Sequence, residues 1–139
     1  MKNGKNIALV TDAGTPGISD PGEELVKKCL EAGIEVTSLP GASALVTALS
    51  MSGLSSRRFV FEGFIPTEKK DREEALERIK NEIRTIAIYE APHRILKTLK
   101  DLKKTLGDRE IRICRELTKI HEEVLSLTIE TAIEKYENE

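Results

Sequence analysis

A segment rich in glycine and proline follows the first apolar stretch of this sequence. Residues 11–22 read Thr-Asp-Ala-Gly-Thr-Pro-Gly-Ile-Ser-Asp-Pro-Gly, with three glycines and two prolines. Glycine lets the backbone adopt conformations that other residues avoid, and it lets a ligand approach main-chain N–H and C=O groups closely. A simple strand-to-helix turn needs only about two to six residues. This longer loop therefore predicts a binding site for a flat, polar small molecule.

The loop lacks the two common phosphate-binding patterns. No Gly-Lys-Ser or Gly-Lys-Thr follows it, and its glycines do not have the spacing of the dinucleotide-binding fingerprint. Phosphate cradling is therefore not expected here. The alternative to a ligand site is that these residues only make a tight turn.

A second segment of small residues, Leu39-Pro40-Gly41-Ala42-Ser43-Ala44, ends another predicted strand. If the two strands are neighbours in a parallel sheet, their loops flank one crevice at its carboxyl edge, where open α/β sheets bind ligands. Small side chains in series leave room for an adenine ring. Ser43 could equally be an ordinary N-terminal residue of a helix.

Two further groups of polar residues follow predicted strands. The segment Tyr-Glu-Ala-Pro-His-Arg places Glu90, His93 and Arg94 around the N-terminus of a helix, and a helix cap with solvent-exposed charges is the alternative. In residues 115–123, Arg115 and Lys119 could contact RNA phosphates, or the segment could be a solvated loop whose charges pair with one another.

Hydrophobic patterning in the first part of the chain predicts one strand-helix-strand unit followed by a helix. The predicted strands are Asn6–Thr11 and Ile34–Leu39, and a crossover of this length implies a parallel pair. Asp20 is the expected N-cap of the first helix, followed by proline at N1. Leu25, Val26, Cys29 and Leu30 are predicted to form the inner face of this helix, and Gly33 is predicted to end it. A second helix is predicted over Ala42–Met51.

The rest of the chain continues the alternation of strands and helices, so the fold class is α/β. We place a domain boundary near Ser55, giving regions 1–54 and 55–139. The predicted strands are 59–64, 85–89, 111–114 and 123–129, and the predicted helices are 68–82, 92–107 and a short or frayed one over 130–139. The inward stripe of the helix over 68–82 comprises Ala75, Leu76, Ile79 and Ile83.

Composition limits the classes of function. The net charge is −2, so no global positive field recruits nucleic acid, and RNA binding would need a local basic patch or a partner subunit. No apolar run approaches the roughly 20 residues that span a bilayer, so a cytoplasmic protein is expected. Cys29 and Cys114 have no CxxC spacing, which favours two buried apolar residues over a disulfide or a metal site.

Four segments together resemble one family. The order and spacing of these segments are similar to those of the ribosomal RNA small-subunit methyltransferase I family, which lies within the tetrapyrrole methylase superfamily. The segments are VTDAGTPGISDPG, SLPGASAL, YEAPHR and CRELTKIHEE. The resemblance covers about Asn6 to Ile129. It implies a two-lobed α/β fold, with the remnant of a parallel sheet in the N-terminal lobe and a mixed sheet in the C-terminal lobe.

The resemblance also implies an activity and its partners. Such proteins are usually homodimers that bind S-adenosylmethionine in the cleft between their lobes and methylate a ribose 2′-hydroxyl of a cytidine in small-subunit (16S) ribosomal RNA, free or in the assembled subunit. By position, the residues that match the donor-binding segments are Gly14, Thr15, Pro16, Gly17, Ile18, Ser43, Ala44, Tyr89, Glu90 and Ala91. Arg94, Arg115 and Lys119 are the candidates for RNA contact, and no metal is expected.

A general base would assist removal of the ribose proton. Glu90, His93 and Asp12 are the titratable groups nearest to the expected pocket, and imidazole is the side chain best suited to proton transfer near neutral pH. The sequence does not choose among the three residues.

One departure from the family pattern is large. Family members begin with strands that carry Gly-Thr-Pro-x-Gly-Asn and Glu-Asp-Thr-Arg segments, and this sequence contains neither. We therefore expect an N-terminally truncated chain that binds the donor weakly and turns over poorly. Two alternatives remain, namely a superfamily methylase acting on a tetrapyrrole or on the diphthine precursor, and a non-catalytic α/β binding module.

Overall fold

The computed structural model describes residues 3–138 and contains five α-helices and four β-strands within that range. In chain order these are α1 (Glu23–Glu31), α2 (Ala44–Met51), β1 (Phe59–Phe64), α3 (Lys69–Ile79), β2 (Thr85–Tyr89), α4 (Ile95–Leu106), β3 (Glu110–Arg115), β4 (Glu123–Thr128) and α5 (Ile129–Glu137). The chain forms two compact units, the first ending at Ala44 and the second beginning at Leu45. The α/β class is confirmed, while the lobe boundary near Ser55 stays a prediction.

The first unit corrects two strand predictions. Neither 6–11 nor 34–39 forms a strand, so the parallel sheet expected here is absent from the described residues of this unit. Strands need a hydrogen-bonded neighbouring strand, and neither segment is paired with one in the described residues; Val10 and Leu39 are 81% and 82% exposed. The periodicity identified extended, apolar segments, but it could not supply the strand that would pair with them.

Helix α1 starts later than the sequence predicted. Its N-cap is Gly22, with no side-chain cap, so the assignment of Asp20 as the cap was wrong. The φ of Gly22 is 148°, a backbone conformation that residues with a Cβ rarely adopt, which explains why glycine occupies the position. Of the predicted inner face only Cys29 is buried, and Leu30 is exposed.

The end of α1 matches the prediction. Gly33 adopts a left-handed φ of 65°, its N–H donates to Leu30 O, and the N–H of Ile34 donates to Cys29 O. This pair of bonds is the Schellman arrangement that ends many helices.

The second unit contains two small sheets. β1 and β2 pair in parallel, from Phe59 opposite Thr85 to Phe64 opposite Tyr89, with a bulge between Phe61 and Gly63. β3 and β4 pair antiparallel, from Glu110 opposite Thr128 to Arg115 opposite Glu123. The mixed strand directions expected for this region are confirmed. β2 and β3 do not pair with each other, and a cleft of about 290 Å³ with both apolar and charged lining residues is bordered by both strands.

Helices α3, α4 and α5 supply most of the core. The buried cluster is formed by Leu76, Ile79, Leu99, Leu102, Ile129 and Ala132, with Ile86, Ile88, Ile111 and Ile113 of the sheets packed against it. The inward assignment of Ile83 was wrong, because α3 ends at Ile79 and Ile83 lies beyond it, 93% exposed. Residues 92–94 form a 3-10 turn rather than the first turn of α4.

Candidate functional site

The glycine-rich loop of the first unit is folded against the segment of small residues. Gly14 and Gly17 have positive φ angles of 75° and 82°, and the hydroxyl of Thr15 donates to the carbonyl of Ala42 at 3.1 Å. This contact joins residues 27 positions apart. The two loops therefore lie side by side, although the neighbouring parallel strands on which that expectation depended do not form.

Gly14 and Gly41 lie where these loops meet. A Cβ at Gly41 would lie 3.1 Å from Thr15 Oγ1, and a Cβ at Gly14 would lie 3.5 Å from Ala42 O. A larger residue at Gly14 would strain the backbone, because positive φ is costly for residues with a Cβ, and one at Gly41 would require the Thr15 side chain to shift. The loops thus present main-chain groups beside small side chains. Pro16 is half-buried here, whereas Ile18 and Asp12 are exposed.

At the carboxyl end of β2, the ring of Tyr89 is held at both ends. Its hydroxyl accepts a hydrogen bond from the backbone N–H of Leu45, in the first turn of α2, at 2.9 Å. Its ring makes edge contacts with Phe61, at 4.9 Å between centroids, and with Phe64, at 5.7 Å. The phenol therefore fixes the strand end relative to α2.

The carboxylate of Glu90 is turned into the protein, with its side chain only 5% exposed. Oε1 accepts from the N–H of Ala91 at 2.8 Å and lies 3.3 Å from Arg94 Nε, while Oε2 accepts from the hydroxyl of Thr98 at 2.5 Å. Both oxygens are therefore used inside the protein. This geometry suits a structural anchor better than a group that takes a proton from a substrate.

A buried arginine that the sequence reasoning missed supports Glu90. The guanidinium of Arg72 donates to Asp101 Oδ2 at 2.8 Å, to Pro66 O at 3.1 Å and to Thr98 Oγ1 at 2.9 Å, and the residue is 6% exposed. A signal was present, because Arg72 precedes Ala75 and Ile79 by three and seven positions and so lies on the apolar stripe of α3.

The remaining predicted residues differ in their surroundings. His93 is exposed in the 3-10 turn, and Arg94 is held by Glu90 and by Ile65 O, to which it donates at 2.5 Å. Arg115 pairs with Glu123 at 2.5 Å and Lys119 with Glu116 at 3.2 Å, both with cation side chains more than half exposed. The self-paired loop considered from the sequence is therefore what forms between β3 and β4.

Neither thiol is placed for metal binding. Cys29 is buried, and burial raises the pKa of the half-buried Cys114 thiol. Across residues 3–138 no cluster of three or more His, Cys, Asp or Glu side chains could hold a metal ion. No helix in that range is both long and apolar enough to cross a membrane.

Comparison with known proteins identifies the family. The sequence profile described as Tetrapyrrole (Corrin/Porphyrin) Methylases matches residues 1–133, and the chain belongs to this family. Proteins named "Ribosomal RNA small subunit methyltransferase I" are similar to it. The one from Synechocystis is 56% identical over 134 residues, 96% of this chain and 48% of that protein.

Two more relatives carry the same name. The Haemophilus influenzae protein is 54% identical over 130 residues, 93% of this chain and 46% of its own length. The Thermotoga maritima protein is 46% identical over 137 residues, 99% of this chain and 61% of its own length. The chain thus spans about half the length of most of the curated relatives described here.

Proposed function

We propose that this chain is part of a methyltransferase that uses S-adenosylmethionine and methylates a ribose 2′-hydroxyl of a cytidine in small-subunit ribosomal RNA. The observation that carries the proposal is the contact between Thr15 and Ala42, which brings the two glycine-containing loops together in a chain of the methylase family. The names of the relatives favour RNA over the tetrapyrrole and diphthine alternatives and over a non-catalytic module.

The donor-binding residues in this proposal are Gly14, Thr15, Pro16, Gly17, Ile18, Ser43 and Ala44, with Tyr89, Glu90 and Ala91 of the second unit. Main-chain groups beside glycine can contact the adenosyl and methionyl parts without large side chains intervening. Methyl transfer requires the attacking oxygen to lie in line with the sulfonium methyl group, and positioning supplies much of the rate acceleration. The role of these residues is therefore to hold the donor in one orientation.

Among the three candidate bases, His93 is the one we favour. Glu90 has both oxygens occupied by Ala91, Arg94 and Thr98, whereas the imidazole of His93 is exposed. Asp12 is exposed too, but imidazole suits proton transfer near neutral pH better than a carboxylate does.

The partners in this proposal are the small-subunit RNA, free or assembled, and a second copy of the chain, in the cytoplasm. Arg115 and Lys119 can exchange their present partners for RNA phosphates at low cost, because exposed ion pairs contribute about 0–1 kcal/mol. Arg94 is held more tightly by Glu90 and Ile65, so its contribution to RNA contact is indirect.

Donor binding and methyl transfer test the proposal. The chain is titrated with S-adenosylhomocysteine by calorimetry and then incubated with labelled donor and small ribosomal subunits that lack the modification. We expect saturable but weak binding and slow transfer of alkali-stable label to the RNA. Gly14→Val should abolish binding, whereas Gly33→Val, with similar backbone strain but nothing within 4 Å, should retain it. Folded protein that neither binds the product nor labels RNA would contradict the proposal.

A further inference from the structure

The bulge in β1 places two phenylalanines on the same face of the strand. Residues three positions apart in a regular strand point to opposite faces, since the side chains alternate. The extra residue between Phe61 and Gly63 reverses this relation, so Phe61 lies opposite Ala87 and Phe64 opposite Tyr89. Gly63 provides the required left-handed backbone, with φ 63°. Bulges of this kind often re-aim a side chain beside an active site.

The resulting aromatic cluster is rigid on one side and open on the other. Tyr89 is fixed by the Leu45 N–H and by edge contacts with both phenylalanine rings. The backbone that follows Phe64 is fixed as well, because Ile65 is 1% exposed and its carbonyl accepts from Arg94. Phe64 itself remains 50% exposed. Because the neighbouring ring and the backbone are already held in place, covering the Phe64 ring with a ligand should cost little conformational entropy.

We propose that Phe64, supported by Tyr89, is a stacking surface for a heteroaromatic base. The two residues form the last pair of the parallel ladder, at the carboxyl edge where α/β proteins bind ligands. Aromatic rings stack on the π face of any purine or pyrimidine. The proposal rests on the proposed function only for the source of the base, which is either the adenine of the methyl donor or a base of the RNA.

The chain carries a built-in reporter for this site. It has two tyrosines and no tryptophan, so a Tyr136→Phe background leaves Tyr89 as the only tyrosine fluorophore. Adenosine and cytidine are titrated against this protein while its fluorescence is recorded, with ribose 5-phosphate as the probe that lacks a base. We expect saturable quenching by the nucleosides and no change with the sugar phosphate.

Three variants in that background locate the surface. Phe64→Leu keeps an apolar side chain without the π face and should weaken nucleoside binding about 5- to 150-fold, the range measured for stacking on one base. Phe64→Tyr should restore binding to within about twofold. Phe59→Leu, at the opposite end of the same strand, is the matched control and should bind like the parent. Circular dichroism verifies that each variant is folded.

Separate titrations identify the source of the base. If Phe64→Leu weakens only S-adenosylhomocysteine, the surface holds the donor's adenine; if it weakens only a cytidine-containing oligonucleotide, it holds an RNA base. Unchanged nucleoside affinity in folded Phe64→Leu, equal quenching by ribose 5-phosphate, or no saturable binding overturns the inference. Phe64-dependent binding without methyl transfer would refute the proposed activity and leave the stacking surface standing.

Discussion

The hydroxyl of Thr98 connects the two charged groups that flank it in the second unit. It accepts from the Arg72 guanidinium at 2.9 Å and donates to Glu90 Oε2 at 2.5 Å. Arg72 is therefore linked, through one hydroxyl on α4, to the strand end that carries Tyr89 and Ala91. Thr98 is 2% exposed, so water cannot substitute easily for either bond.

Thr98→Val should destabilise the protein by about 1–3 kcal/mol, because an acceptor for Arg72 and a donor to Glu90 are lost in a buried site. Urea unfolding measures the difference. The control is Thr105→Val in the same helix, whose hydroxyl donates only to the carbonyl of Asp101, and its cost should be smaller. Equal losses of unfolding free energy in the two variants would show that the hydrogen bonds of Thr98 stabilise the protein no more than that of Thr105.

Arg72→Met should lower the free energy of unfolding by about 3–5 kcal/mol, the usual cost of removing one partner from a buried ion pair. It leaves the Asp101 carboxylate and the Pro66 carbonyl without their donor. Arg78→Met on the same helix removes an exposed charge 3.7 Å from Glu62 and should cost less than about 1 kcal/mol. Thermal or urea unfolding that fails to rank the variants in this order would refute the buried assignment.

Ile79→Ala should cost about 2–5 kcal/mol, since Ile79 is 1% exposed in the core cluster and its truncation leaves a cavity. Ile83→Ala should change stability by no more than about 0.5 kcal/mol, because its side chain is 93% exposed. Urea midpoints of the pair test where α3 stops contributing to the core. A large loss for Ile83→Ala would restore the inward stripe predicted from the sequence.

The Glu82 carboxylate should titrate far below an ordinary glutamate. Hydrogen bonds from the side chain and backbone of Arg84 lower its pKa from 4.5 to about 2. Because the folded pKa is the lower one, the stabilisation is present above about pH 4.5 and is lost as pH falls through about 2. Carbon-13 NMR of the carboxyl group measures this, and Arg84→Gln should return the pKa toward 4.5. An ordinary glutamate pKa for Glu82 in the parent protein would contradict its hydrogen bonding to Arg84.

The sequence predicted the second unit better than the first. β2 was predicted residue for residue, and Gly107 ends α4 as expected, because local signals such as proline, glycine and apolar periodicity act within a few residues. The segments 6–11 and 34–39 failed for the opposite reason. A strand is defined by its hydrogen-bonded neighbour, and periodicity in one segment does not reveal whether that neighbour exists.

In the candidate site, too, features set by local sequence motifs were predictable, whereas features that depend on distant contacts were not. The closeness of Thr15 to Ala42 was expected from two glycine-containing motifs, although the strands that were expected to carry them do not form. The burial of Glu90 was not expected, since it depends on Thr98 and Arg72 on two other helices. The sequence also could not predict that Phe61 and Phe64 project from the same face of β1, because one bulge inverts the expected alternation of faces.

The bond between the Tyr89 phenol and the amide of Leu45 has a consequence for anion recognition. First-turn amides of a helix lack partners within the helix and readily donate hydrogen bonds to a phosphate or carboxylate. In α2 one of these amides already donates to a tyrosine oxygen 44 positions away in the chain. An acidic ligand group that bound the Leu45 amide would displace the phenol, and in doing so it would release the ring that supports Phe64.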